Sequence, residues 1–301
     1  MRNRWLVLRV AVDHLAAGVS RLFTLSVLLV LVLIILGLLY KSIPILTSQS
    51  ILDLLFSSVW KPMKGQFGFF PFIVSTIYVT VIAITISVPF CILASLYLTE
   101  YAPRRWTKRI VPFIDLLAGL PSVIYGIWGV IAIVPFVRDI LAPAFGYETS
   151  GYCILTGGIV LAVMVIPVLM NIMIEVLRTV PIELKEATLS LGATKWETTS
   201  RVVLRKALPG VLAAVVLAFF RAFGETIAVL MVVGNTVMIP KSLFDPGYPL
   251  PALIANNYGE MMSIPKYDSA LLFSALLLFV MIVGFNWLAR FVLKRTERYI
   301  V

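Results

Sequence analysis

Charge is scarce in this chain. Only 13% of its 301 residues are Asp, Glu, Lys or Arg, against about one quarter in ordinary soluble domains. Cysteine is scarcer still, at two residues. Cys91 and Cys153 both fall inside apolar stretches, where a buried free thiol is expected and no disulfide framework can be built. A single histidine, His14, stands apart from any cysteine cluster, which argues against a metal centre. No Ser/His/Asp or His/Glu set is grouped as an integral membrane enzyme would need. There is no phosphate-binding Gly-rich loop of the Walker A kind, so the chain has no such means of binding ATP itself. No linker rich in Gly, Ser or Pro divides it and no low-complexity run interrupts it, which reads as one membrane domain.

What the chain has instead is apolar length. Hydrophobic residues make up 60% of it. Residues 22–40, 65–99, 116–137, 149–174 and 269–289 carry no charge, and a sixth run, about 209–240, carries only Arg221 and Glu225. A bilayer core takes about 20 apolar residues per helix, so the expected fold is an all-α integral membrane protein with six transmembrane helices. A soluble core would not need separated runs of this length. Eighteen basic residues fall in the two terminal segments and the second and fourth loops, and six in the remaining loops. Positive loops stay in the cytoplasm, which places both termini there. The net charge of +10 thus follows the loops and gives no nucleic-acid footprint, which would cluster on a folded face.

Residues 1–21 are expected to form a cytoplasmic tail ahead of a transmembrane domain, 22–301. They read either as a short basic tail or as an interfacial helix, with Arg2, Arg9 and Asp13 at roughly helical spacing and Trp5, Leu8, Val12 and Leu15 around the turn. The segment is no cleaved signal peptide: its apolar run is too long and no small-residue cleavage site follows. External loops 45–68 and 241–268 are polar or turn-rich, and Ala255–Glu260 is expected to form a short helix. Pro89, Gly119-Leu120-Pro121, Gly126 and Pro167 are expected to break the middle spans, as on a path between moving helices or simply for helix packing.

Two local patterns carry chemistry. In the cytoplasmic loop, about 179–208, Pro181 starts a helix with Leu184, Ala187 and Leu191 as its apolar stripe. Gly192 ends that helix, and Thr194 with Glu197 forms a capping box that opens a second. In the fifth run, Arg221 and Glu225 stand four residues apart near mid-span, hence on one helical face. Alone at the bilayer centre each costs about 2.5–3.5 kcal/mol on insertion scales. They read either as a structural ion pair or as a contact on an anion path, with Glu225 holding Arg221 in place.

Glu186-Ala187-Thr188, Gly192 and Leu208-Pro209 resemble the "EAA" loop, here 183–209, of permease subunits from binding-protein-dependent ABC importers. Thr188 replaces the second Ala of that pattern, and Leu-Pro falls a few residues late. The run Arg221-Ala222-Phe223-Gly224-Glu225-Thr226-Ile227-Ala228-Val229 resembles the C-type (PstC-like) permeases of phosphate importers. So do Gly234-Asn235, the third-span segment Leu120 to Gly129, and Leu155 to Pro181. The likeness covers about residues 70–240. It implies a type I ABC importer permease for inorganic phosphate in a bacterial inner membrane, working with a second, A-type permease, two ATPase subunits and an extracytoplasmic phosphate-binding protein. It assigns Glu186, Ala187 and Gly192 to ATPase coupling, Arg221, Glu225 and Thr226 to the substrate path or gate, and ATP and Mg²⁺ to the partner ATPase. The competing expectations are an A-type permease or a permease for another oxyanion or small solute. A secondary transporter or channel fits less, because its internal repeats are not apparent and the loop would go unexplained.

Overall fold

In the computed structural model the backbone is described for residues 2–260, 264 and 266–300, and side chains for 12–260, 264, 266–291, 294 and 295. Six helices are long and apolar enough to cross a membrane: Val12–Leu46, Phe70–Tyr101, Ser122–Ala144, Ile154–Arg178, Lys195–Phe223 and Tyr267–Phe291. Six crossings put both chain termini at one end of the bundle, called here the terminal end. The opposite end is the far end.

The first span belongs to one helix, Arg2–Leu46. At 1.5 Å per residue its 45 residues are about 67 Å long, roughly twice a bilayer core. The uncharged run 22–40 fills the hydrocarbon, so the basic stretch before it continues as helix beyond the apolar layer. The side chains of Arg2, Trp5, Leu8 and Arg9, on which the surface-helix expectation rested, lie outside the described residues.

Two expected boundaries are wrong, for one physical reason: hydropathy does not see helix interruptions. The third span begins at Ser122, not 116. Gly119-Leu120-Pro121 is the hinge between it and a separate amphipathic helix, Arg104–Ala118, which carries Arg104, Arg105, Lys108 and Arg109. The fifth helix begins in the loop at Lys195 and ends at Phe223, although the apolar run continues to residue 240. A short helix, Ile227–Leu230, and an irregular segment fill the remainder. Pro89 and Pro167, expected as breaks, lie inside continuous helices. Gly126 does not break its helix either; it serves for packing, described below.

Two main clusters hold the fold. One joins the second to fifth spans with the short helix Ile227–Leu230 around Val79, Leu161, Leu169, Met173 and Val229. The other lies at the far end, where the first span meets the sixth. There a two-residue antiparallel hairpin pairs Trp60 with Phe67 and Lys61 with Gln66. Trp60 packs against Phe67, Phe69, Phe72 and Tyr267 with ring centroids 4.9–6.1 Å apart. The far-end helix expected at Ala255–Glu260 runs from Leu250 to Asn257. Its first turn is capped by the second span: the Leu250 N–H donates to Thr76 Oγ1 at 2.9 Å. Cys91 and Cys153 are free and buried, as expected.

Candidate functional site

At the terminal end the chain builds a helix, a turn and a second helix. The first runs Ile182–Ser190, with Pro181 just before it. It closes in a Schellman turn. The Ala193 N–H donates to Thr188 O at 3.3 Å and the Gly192 N–H to Leu189 O at 3.0 Å, with Gly192 at φ +85°. Only a residue without a Cβ takes that conformation at no steric cost. The capping box is present: the Thr194 N–H donates to Glu197 Oε2 at 2.9 Å and the Glu197 N–H to Thr194 Oγ1 at 3.2 Å. This second helix continues without a stop into the fifth span, through a widened i→i+5 turn at Thr198–Val203.

The faces of this unit differ from a simple inward stripe. No residue of Ile182–Ser190 is buried. Leu184 and Ala187, expected on an apolar stripe, are exposed, and Leu191 is 88% exposed. Glu186 and Gly192 are exposed as well. Lys185 and Thr188 face the protein: Lys185 Nζ donates to Glu100 Oε1 at 2.6 Å, and Thr188 Oγ1 bonds back to the Leu184 and Lys185 carbonyls. Thr188, the departure from Glu-Ala-Ala, is thus absorbed within its own helix. A projecting surface of Ile182, Leu184, Leu189, Leu191 and Trp196, with Glu186 among them, is left without a covering element.

The second site lies where the fifth helix stops. Arg221 occupies its last turn and Glu225 lies beyond its end at Phe223. The two therefore do not share a helical face, and among the described residues they form no ion pair; the mid-span pairing is corrected here. Glu225 instead caps the next element, its Oε1 accepting the Ala228 N–H at 3.3 Å. A carboxylate at a helix start is favoured by the free N–H groups and the dipole there. At the other end Asn235 Nδ2 donates to Leu230 O at 2.8 Å. Thr226 Oγ1 reaches Gly224 O at 3.3 Å.

The short helix so bracketed is wedged into the bundle. A Cβ on Gly126 would stand 2.6 Å from Met231 Sδ, and one on Gly129 2.6 Å from Val160 Cγ2 and 3.0 Å from Val232 Cγ1. These third-span glycines exist for close approach. The break is thus a packed feature that leaves Arg221 exposed in the isolated chain. A guanidinium in this position offers a planar fork of donors suited to an oxyanion.

The model of a family described as "Binding-protein-dependent transport system inner membrane component" matches residues 87–298. The chain belongs to this family. The match takes in the last four spans, the second half of the second span and both sites, and leaves out the first span and the far-end hairpin. With six apolar helices, a member of this transport family is a multi-pass inner-membrane protein. The chain is 36% identical over 291 residues to a probable phosphate transport system permease protein PstC of Methanocaldococcus jannaschii, covering 91% of each chain. It is 38% identical over 257 residues to the phosphate transport system permease protein PstC of Xylella fastidiosa strain 9a5c, covering 81% of this chain and 79% of that one. The Haemophilus influenzae PstC is 32% identical over 305 residues, with 95% of both covered. The family fold also appears in a structure of inward-facing conformations of the MetNI methionine ABC transporter. There the TM-score is 0.54 at 20% identity, over 81% of this chain and 96% of that one. An amino acid ABC transporter crystal structure gives 0.52 at 18%, over 75% and 93%.

Of the residues expected at the two sites, the structure gathers Glu186, Ala187 and Gly192 on one projecting unit, and Arg221, Glu225 and Thr226 around one helix break. Glu100 was missed. Its one signal was an isolated acid between an uncharged run and the basic Arg104-Arg105 pair.

Proposed function

We propose that this chain is the C-type permease of an ATP-driven importer of inorganic phosphate. The observation that carries the reading is Arg221, an exposed guanidinium in the last turn of the fifth helix, in a chain with the phosphate permeases named above as relatives. Guanidinium donors bind phosphate oxygens in parallel pairs. Water exclusion between subunits strengthens such contacts. Glu225 and Thr226 shape the path by fixing the turn after Arg221.

The excess of basic residues at the terminal end supports a cytoplasmic location for it, with residues 1–21 as its N-terminal extension. The projecting helix-turn-helix then faces the cytoplasm. Glu186, Ala187 and Gly192 dock to an ATPase subunit, and the surrounding exposed apolar side chains fill its groove. The assembly has this chain, an A-type permease, two ATPase subunits that bind ATP and Mg²⁺, and a phosphate-binding protein delivering the ion at the far end. Exposed apolar helix surface supports a second permease and lipid as neighbours.

The test is to reconstitute the purified complex in liposomes with phosphate-binding protein outside, or in the lumen for inverted insertion. Labelled phosphate should cross only when ATP is hydrolysed, and the chain alone should transport nothing. Accumulation by the chain alone, with no nucleotide present, would refute the reading.

A further inference from the structure

The helix Ile182–Ser190 projects from the bundle with no buried residue of its own, yet a docking element must be held firmly if a push on it is to reach the spans. One bond holds it directly, and two further contacts pin the segment that it meets. Lys185 Nζ meets Glu100 Oε1 at 2.6 Å, with the two side chains only 22% and 10% exposed. Lys195, which opens the fifth helix, places its ammonium 4.7 Å from the centre of the Tyr101 ring. Thr107 Oγ1, on the amphipathic helix, donates to Leu98 O at 3.2 Å.

All three converge on one segment. Leu98, Glu100 and Tyr101 lie in the widened i→i+5 turn Tyr97–Tyr101 that ends the second span. Such turns recur at functional positions. The fifth helix carries a similar turn, Thr198–Val203, which packs against the helix Ile182–Ser190. Of the ion pairs among the described residues, the other two, Arg138–Asp139 and Arg178–Glu175, are exposed and join near neighbours in sequence. Exposed pairs of that kind contribute little. The Lys185–Glu100 pair is different: it spans 85 positions and is shielded from solvent, so it is screened less and loss of one partner strands a charge.

We infer that Glu100 and Lys185 are positioning residues that form the joint carrying displacement of the docking helix into the second span. The inference rests on the proposed transport function. The geometry also divides the labour along the helix. Lys185 and Thr188 face inward to the joint, while Glu186 and Ala187 face outward to the docking partner. A pull on the outward face acts directly on Glu100, and through it on the second span, which packs along the fourth across the main core.

The test uses the whole reconstituted complex and reads phosphate imported per ATP hydrolysed. Glu100→Gln and Lys185→Met should each lower that ratio at least about tenfold, because each leaves a partly buried charge or donor unmatched. Subunit assembly, measured by size and mass, should be retained and ATP hydrolysis should continue. Lys185→Arg, and the exchange Glu100→Lys with Lys185→Glu, should restore the ratio to within about threefold by re-forming the pair. A merely structural pair would lower uptake and assembly together and leave the ratio unchanged; that outcome overturns the inference. So does failure of both the exchange and Lys185→Arg to restore it. The wild-type complex separates the two claims. If it imports no phosphate with ATP, the proposed function falls; if it does and the single variants keep its ratio, only the joint falls.

Discussion

Substitution at Gly192 tests whether the turn between the two loop helices couples ATP hydrolysis to transport. Gly192 sits at φ +85°, and nothing lies within 4 Å of the position a Cβ would take. A side chain there meets no neighbour within this chain, so its effect on the fold of the loop is one of backbone conformation. The left-handed conformation costs an L-residue about 1–2 kcal/mol, which lowers the population of the correct turn by a factor of about 5–30. Asn tolerates this region better, and a β-branched residue worse. Uptake per assembled complex should therefore fall in the order Gly, Asn, Ala, Val, with the Val variant at a few per cent of wild type or below. The assay is ATP-dependent uptake in vesicles, normalised to complex recovered through a tag on the ATPase subunit. ATP hydrolysis should fall less than uptake. Equal uptake by the Ala and Val variants, or an Asn variant worse than Val, would refute the reasoning, because neither fits a cost set by φ.

Arg221→Gln should abolish phosphate uptake while the complex still assembles, as judged by the same tag recovery; if assembly is lost instead, Arg221 serves as the counter-charge to the end of its helix and not as a ligand. Gly129→Leu should destabilise the permease by about 1–3 kcal/mol through overpacking, since the new side chain starts 2.6 Å from Val160 Cγ2. A lower thermal midpoint in detergent would register this, and an unchanged midpoint would count against the close approach of the third span to the fourth.

The six spans were legible because a membrane helix is written locally, as an apolar run of sufficient length. The loop unit was legible for the same reason. Its Gly192 stop and Thr194–Glu197 box are bonds between residues at most a few positions apart. The break after Phe223 was not, because Ile227 to Val233 is as apolar as the helix before it and only Gly224 marks the stop. That misreading also placed Arg221 and Glu225 on a shared face that does not exist. Gly126 looked like a helix breaker because its purpose, the approach of Met231 and Ala228, lies about a hundred residues downstream. Glu100 and Lys185 were illegible for the same cause: a pairing over 85 positions leaves no periodic trace.

The fifth helix has one further implication. It begins at Lys195 in the projecting unit and does not stop until Phe223, so Arg221 is about 39 Å along a single rod from its first residue. Each degree of tilt about the midpoint of such a rod swings either tip by about 0.3 Å. Fuel state and solute contact are therefore two readings of one dial. A spectroscopic probe beside Arg221 should register whether nucleotide is bound at the opposite end, even when no solute is present.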